Sequence, residues 1–180
     1  MNNIVYHGSN VGGLKEIKKH KSTHNIELVY ASKNISVPLA FIRNKNNRDL
    51  DLNVRLCNGK LQITERRPKL IETIYNLDGY IYVLSSENFK SKDYLWKAEV
   101  VSDKDELVLK EIYVPNIKEK LEELNNNGEI DLYLYPNRPS DIPLDNSDLI
   151  EHCLNICKNY NHSDMIDKML LIYPELRNKI

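Results

Sequence analysis

The chain has 180 residues, and its 25 basic and 26 acidic side chains leave a net charge of −1. This length suits one domain with a substantial core. A net charge near zero gives no support for broad electrostatic binding to nucleic acid or to an anionic membrane. No apolar run approaches the ~20 residues that span a bilayer, and the polar N-terminus lacks a secretion-signal pattern. We therefore expect a cytoplasmic protein with no membrane partner.

The cysteines and histidines predict no bound metal. Cys153 and Cys157 are four residues apart, which places both on one helix face, where core packing is the usual explanation. Cys57 lies far from them in the sequence. Four histidines show no ligand spacing and are interpreted as surface residues: His20, His24, His152 and His162.

Up to residue 75 the sequence predicts short strands and helices. In chain order they are a strand at 5–6, a helical turn at 14–19, a strand at 28–31, a helix at 37–43, a hairpin of 53–57 with 60–64, and a helix at 67–75. The first two strands are rich in β-branched and aromatic side chains. The hairpin is indicated by alternating polarity around Asn58-Gly59, and Pro38 fits the first turn of its helix.

Beyond residue 75 the sequence predicts a strand-rich region and then two helices. The strands are at 79–84, 95–101, 107–114 and 130–135, with an amphipathic helix at 117–124; the final helices are at 147–160 and 163–173. We divide the chain into a domain over residues 1–135, a Pro-rich connector over 136–146, and a C-terminal helical pair over 147–180 packed on the domain. The order of elements indicates the α+β class.

The residues best suited to hold a polar ligand lie where the first two predicted strands end. The first strand ends in the imidazole of His7, followed by Gly8 and Ser9, and the second ends in Tyr30 and Ser32. Glycine lets a backbone approach a ligand closely, so that its N–H and C=O can bind an amide. This pair of strand ends is the one place where the sequence points to a chemistry.

Tyr-His-Gly-Ser, followed by a strand of Val-Tyr-Ala-Ser, resembles the first two motifs of the ADP-ribosyltransferases of the diphtheria-toxin and poly(ADP-ribose) polymerase branch. That branch is defined by a His, Tyr, Glu set, and its catalytic glutamate opens a late strand. Residues 103–115 have this form, so Glu106 is the candidate, with Glu99 and Glu111 as competitors. Glu111 falls in the middle of a predicted strand. The resemblance covers residues 4–116.

The resemblance implies NAD-binding roles for six residues: His7, Gly8, Ser9, Tyr30, Ser32 and Phe41. His7 would bond to a ribose hydroxyl, Gly8 would bind the nicotinamide carboxamide through its backbone, and Tyr30 would pack against the nicotinamide ring. Glu106, completing the catalytic set with His7 and Tyr30, would hold the ribose 2′-hydroxyl and stabilise the positive charge that develops as the glycosidic bond breaks. Phe41 falls where the polymerase branch has a second stacking aromatic, and it fits an ordinary core position equally well.

The fold implied by the resemblance is an ADP-ribosyltransferase-like pair of antiparallel sheets around an NAD cleft, with flanking helices. The implied activity is transfer of ADP-ribose from NAD, as a substrate, to an unknown macromolecular acceptor. The chain departs from the family at Pro38, where the polymerase branch has serine, and at Lys104, where arginine-modifying toxins have Gln or Glu. Two alternatives stay open: an inactive nucleotide-binding or protein-interaction module, and an enzyme similar to the NAD-dependent RNA 2′-phosphotransferases.

Overall fold

The computed structural model of the chain describes residues 3–21, 26–44, 50–93, 95–160 and 164–180, with the backbone alone at 159 and 160. The strands are β1 Ile4–Ser9, β2 Glu16–Ile17, β3 His20–Lys21, β4 Glu27–Ala31, β5 Leu52–Cys57, β6 Lys60–Glu65, β7 Gly79–Ser85, β8 Val100–Ser102, β9 Glu106–Val114 and β10 Ile130–Tyr133. The helices are α1 Ser36–Leu39, α2 Leu70–Tyr75, α3 Ile117–Asn126, α4 Asp148–Tyr160 and α5 Met165–Ile172, followed by a 3₁₀ helix, Pro174–Lys179. The architecture is α+β.

The described strands form three sheets, with strand orders β1-β7-β9-β2, β10-β6-β5 and β3-β4-β8. Neighbouring strands are antiparallel except for β10 and β6, which are parallel. An isolated bridge between Tyr6 and Ser32 connects β1 to β4. The edge strand of the first sheet therefore meets the central strand of the third sheet at this bridge.

Two apolar clusters fix how the sheets and helices pack. The larger one joins α1, α2 and α3 to β5, β6 and β10, and the smaller one lies between β1, β4, β7 and β8. Tyr82 of β7 is fully buried in the smaller cluster, and its hydroxyl donates to the Val11 carbonyl at 2.8 Å. The loop after β1 is thereby tied down beside the core.

The C-terminal helices pack on the rest of the chain through apolar contacts and a buried ion pair. Leu149, Cys153, Met169, Tyr173 and Leu176 surround Leu50. Arg66 is only 3 % exposed, and both of its terminal nitrogens donate to the Asp148 carboxylate, at 2.9 and 2.6 Å. Arg138 of the connector donates to the Arg66 carbonyl oxygen at 2.7 Å. The start of α4 and the connector are therefore held at the end of β6.

Most of the predicted elements are found, including the hairpin, where Asn58 and Gly59 both have positive φ. The helical turn predicted at 14–19 is wrong: this segment contains β2, because Ile17 pairs with Glu106 and its side chain is buried. The strand predicted at 95–101 begins only at Val100, after a turn closed by a bond from Glu99 N to the Trp96 carbonyl. Of the surface histidines, His24 and His162 lie outside the described residues.

We expect Asp148→Ala to destabilise the protein strongly, because it leaves the buried Arg66 guanidinium without its anion. Breaking a fully buried pair costs about 3–5 kcal/mol. Because the Asp148 side chain is 31 % exposed, we expect a smaller loss than for a fully buried pair. The free energy of unfolding measured in urea should fall by at least about 2 kcal/mol. Asp141→Ala is the matched control: Asp141 also forms a two-bond pair with an arginine, Arg55, but is 63 % exposed, and the expected loss is below about 1 kcal/mol. Equal losses would contradict this account of Arg66.

Candidate functional site

A cleft of about 1190 Å³ opens beside the bridge that connects β1 to β4. Tyr6 and Ser32 exchange both of their backbone hydrogen bonds there, at 2.8 and 2.9 Å. Residues of an antiparallel strand direct their backbone groups to its two edges alternately. Gly8 and Tyr30, each two residues from the bridge, therefore face each other across the next position, where the bridge does not continue.

The His7 side chain occupies the position of the missing ladder bond. Its Nδ1 donates to the Tyr30 carbonyl oxygen at 2.7 Å. A carbonyl can only accept, so Nδ1 carries the proton. Burial lowers the pKa of the His7 imidazole and outweighs the hydrogen bond to Tyr30, which raises it; the neighbouring His20 lowers the pKa further. The ring is therefore neutral at pH 7, which leaves Nε2 as a lone-pair acceptor for a hydroxyl.

Gly8 has two features that a larger residue would lose. A Cβ at this position would lie 2.5 Å from the Pro38 carbonyl oxygen and 2.9 Å from Ile42 Cγ1, so α1 can pack this closely only against glycine. In addition, its N–H and C=O point into the split between β1 and β4, where no described backbone group bonds to them. One donor beside one acceptor matches the hydrogen-bonding pattern of a primary amide.

Aromatic rings line the same cleft. Tyr30 is half-buried, and its ring lies 5.7 Å from that of His20. Phe41 is 46 % exposed rather than in the core, and its ring meets that of Trp96 edge-on at 6.1 Å. All four side chains line the cleft. They supply surfaces on which a flat heterocycle can stack.

Ser9 and Ser32 also line the cleft, but both hydroxyls serve local turns. Ser9 Oγ accepts from Val11 N at 3.0 Å, and Ser32 Oγ accepts from Asn34 N at 3.1 Å. The six residues that the sequence predicts for nucleotide binding thus lie around one cavity. The serines shape its walls through these turns.

Glu106 does not lie in this cleft. It is 5 % exposed at the start of β9, where Ser102 Oγ donates to its carboxylate at 2.5 Å and Asn88 Nδ2 at 3.4 Å. It is absent from the residues that line the cavity. The expected convergence of Glu106 with His7 and Tyr30 is therefore not observed, because Glu106 closes the turn between β8 and β9.

Glu99 is the glutamate that lines the same cleft as His7 and Tyr30. It directly precedes β8, which pairs with β4 through Val100 opposite Ala31. Burial raises the pKa of the Glu99 carboxyl. The signal in the sequence is the β-branched pair Val100-Val101 directly after it. The sequence predicts a strand over 95–101, which places Glu99 inside the strand. In the structure the strand begins at Val100, so Glu99 lies just before its start.

Glu111, the other competitor, has a structural role. Its carboxylate accepts from the backbone N–H of Gly13 at 2.6 Å and lies 2.8 Å from the Tyr82 hydroxyl, whose single proton is shared between Glu111 and the Val11 carbonyl. Burial, with a contribution from Glu111, raises the pKa of Tyr82 to about 12. These bonds hold the loop that follows β1, and Glu111 is not among the cleft residues.

Among the described residues, no three His, Cys, Asp or Glu side chains come together as a metal site. No helix in the described ranges is both long and apolar enough to cross a membrane. Comparisons with protein-family models, curated proteins and solved structures returned no match. The function must therefore be argued from the cleft itself.

We expect Glu99→Gln to raise the melting temperature at pH 7. The folded-state pKa of Glu99 lies above its unfolded value, so ionisation of this group destabilises the fold, and this cost is absent at pH values below the unfolded pKa. The gain should therefore disappear near the unperturbed glutamate pKa, about pH 4. Melting curves of both proteins at the two pH values test this. Glu87→Gln, at an exposed glutamate, is the control, and a gain that persists in acid would contradict the assignment.

Proposed function

We propose that the protein binds NAD in this cleft and breaks the bond between nicotinamide and ribose, transferring ADP-ribose to a macromolecular acceptor. The observation that carries the proposal is the meeting of a neutral imidazole, an aromatic ring and a partly buried carboxylate in one cavity: His7, Tyr30 and Glu99. The motif resemblance of residues 4–116 to the ADP-ribosyltransferases supports the same chemistry. The catalytic carboxylate in this proposal is Glu99 instead of Glu106.

The binding step follows from the donors and acceptors around the split. The backbone N–H and C=O of Gly8 pair with the carboxamide of nicotinamide, and Tyr30 stacks on its ring. Nε2 of His7 accepts a hydrogen bond from a ribose hydroxyl, which requires the neutral ring that burial favours. The cavity, at about 1190 Å³, exceeds the ~300–1,000 Å³ of ordinary small-molecule pockets. It therefore has room for a dinucleotide and for part of a second substrate.

The chemical step requires a negative charge near the anomeric carbon. As the C–N glycosidic bond breaks, its electron pair leaves with nicotinamide and positive charge develops on the ribose. The Glu99 carboxylate accepts a bond from the 2′-hydroxyl and stabilises that charge, and its incomplete hydration makes the interaction stronger than in water. The acceptor nucleophile then bonds to the anomeric carbon, and its proton passes to solvent water.

The fold is compatible with the resemblance. His7 near the end of β1, Tyr30 in β4 and Glu99 before β8 lie on consecutive neighbouring strands, since β1 meets β4 at the bridge and β4 pairs with β8. We infer an ADP-ribosyltransferase-like arrangement of sheets around the cleft. The carbonyl of Pro38 packs against Gly8. Pro38, which stands where the polymerase branch has serine, therefore supports the wall of the proposed site.

The test is nicotinamide release from NAD by the wild type, Glu99→Gln and Glu106→Gln. Loss of an electrostatic transition-state contact lowers the rate about 100-fold or more, and we expect this for Glu99→Gln. Glu106→Gln keeps one oxygen that accepts from Ser102 Oγ and loses only the long contact with Asn88 Nδ2, so it should release nicotinamide at close to the wild-type rate once its folding is verified by circular dichroism. Equal losses in the two variants would overturn the assignment of Glu99.

Binding is measured separately through Trp96, which is the single tryptophan of the chain and lines the cleft. NAD bound beside it should change the tryptophan fluorescence in a saturable way. Saturable binding without nicotinamide release would identify a nucleotide-binding module that lacks catalysis. Absence of both signals would remove the proposal.

A further inference from the structure

We propose that the outer edge of β5 is a docking edge for an extended polypeptide, which pairs with it as an additional strand inside the cleft. The inference rests on the proposed function in one respect: it makes the acceptor a polypeptide. The docking itself depends only on the contacts described below. It concerns β5, the outermost strand of the sheet with order β10-β6-β5.

Three consecutive residues of β5 line the cleft: Leu52, Asn53 and Val54. Successive side chains of a strand point to opposite faces of its sheet. A cavity that touched only one face would therefore contact every second residue. Contact with three residues in a row means that the cavity runs along the strand edge, where the backbone is presented.

The backbone groups at that edge follow from the hairpin geometry. The two-residue turn at Asn58-Gly59 closes on the pair Cys57 and Lys60, which exchange hydrogen bonds in such hairpins. Counting back in steps of two, Asn53 also bonds to β6, whereas Leu52, Val54 and Leu56 direct their N–H and C=O outward. Within the described residues, no strand pairs with this outer edge. An edge of this kind is a template for another strand.

The charges around this part of the cavity favour a polypeptide over a nucleic acid. Four Lys and Arg side chains of the described residues line the cavity. The two near α4 and α5 each have an acidic partner, Arg66 with Asp148 and Lys168 with Asp164, whereas Lys21 and Arg43 lie in β3 and after α1. A polyphosphate backbone binds when uncompensated Lys and Arg side chains neutralise its phosphates and release the counterions condensed on it. A peptide backbone has no net charge and matches a paired, near-neutral wall. Ile156 and Met165 add apolar surface for its side chains.

The same cavity connects this edge to His7, Tyr30 and Glu99. A polypeptide segment paired with β5 therefore lies in the same cavity as the proposed reaction centre. Strand addition takes affinity from main-chain hydrogen bonds and specificity from side-chain pockets. The first property makes binding tolerant of sequence, so a mixed peptide pool can serve as the probe.

The experiment is fluorescence anisotropy with a labelled pool of random peptides. Val54→Pro removes an outward N–H inside the cleft, and Leu56→Pro removes one on the same edge at a residue that does not line the cleft. We expect binding by Val54→Pro to be about fivefold to tenfold weaker, as for the loss of one net hydrogen bond plus distortion of its neighbours. Leu56→Pro should bind within about twofold of the wild type.

A second measurement keeps the wild-type protein and changes the probe. A pool methylated at alternate backbone nitrogens cannot pair along an edge, and it should bind at least about fivefold more weakly than the unmodified pool. This result remains decisive if Val54→Pro does not fold. Equal affinity for the two pools, equal binding by the two proline variants, or no binding of the unmodified pool would overturn the proposal.

A labelled single-stranded RNA pool tests the other class of macromolecule. Tighter binding of RNA than of peptide, falling steeply with added salt, would also overturn the proposal. None of these measurements uses NAD. A wild-type protein that binds the peptide pool but releases no nicotinamide would therefore remove the proposed transferase and leave the docking edge in place.

Discussion

The hydrogen bond from His7 to the Tyr30 carbonyl is the interaction on which the rest of the site depends. It takes the place of the ladder bond that would continue the pairing of β1 with β4 beyond Tyr6 and Ser32. Because a side chain fills that position, the strands separate and the backbone of Gly8 faces open space. The same bond fixes the imidazole tautomer. One contact therefore opens the cleft and sets the chemistry of its first wall.

The surrounding structure supports this split at a cost in stability. Gly8 has no room for a side chain, because the Pro38 carbonyl packs where its Cβ would be. Glu99 is held partly buried, where its pKa is raised and its charged form is disfavoured. The burial of the Glu99 carboxylate opposes folding locally and is balanced by large apolar clusters elsewhere. A titratable group with a perturbed pKa beside a cavity is a recurring feature of functional sites.

The C-terminal helices extend the cleft away from His7 and Tyr30. Arg66 and Asp148 fix the start of α4 against the end of β6, and residues of α4 and α5 then line the same cavity as the edge of β5. The predicted connector at 136–146 is part of this arrangement, since Arg138 bonds to Arg66. The cleft thus has one end beside β1 and β4, where we propose that a nucleotide binds, and another along the edge of β5, where we propose that a strand docks.

The sequence by itself determined the α+β class and most element positions, since local polarity patterns are properties of short segments. The expectation that His7, Gly8 and Tyr30 share one site came from the motif resemblance, not from those patterns. The sequence favoured Glu106 over Glu99 and did not reveal which of the two lines the cleft, because both precede β-branched or apolar runs. Only the tertiary structure decided: β8 pairs with β4 and carries Glu99 to the cleft, whereas Glu106 begins β9 and bonds to Ser102. Strand pairing is long-range, and the residues of one segment do not encode which edge it will meet.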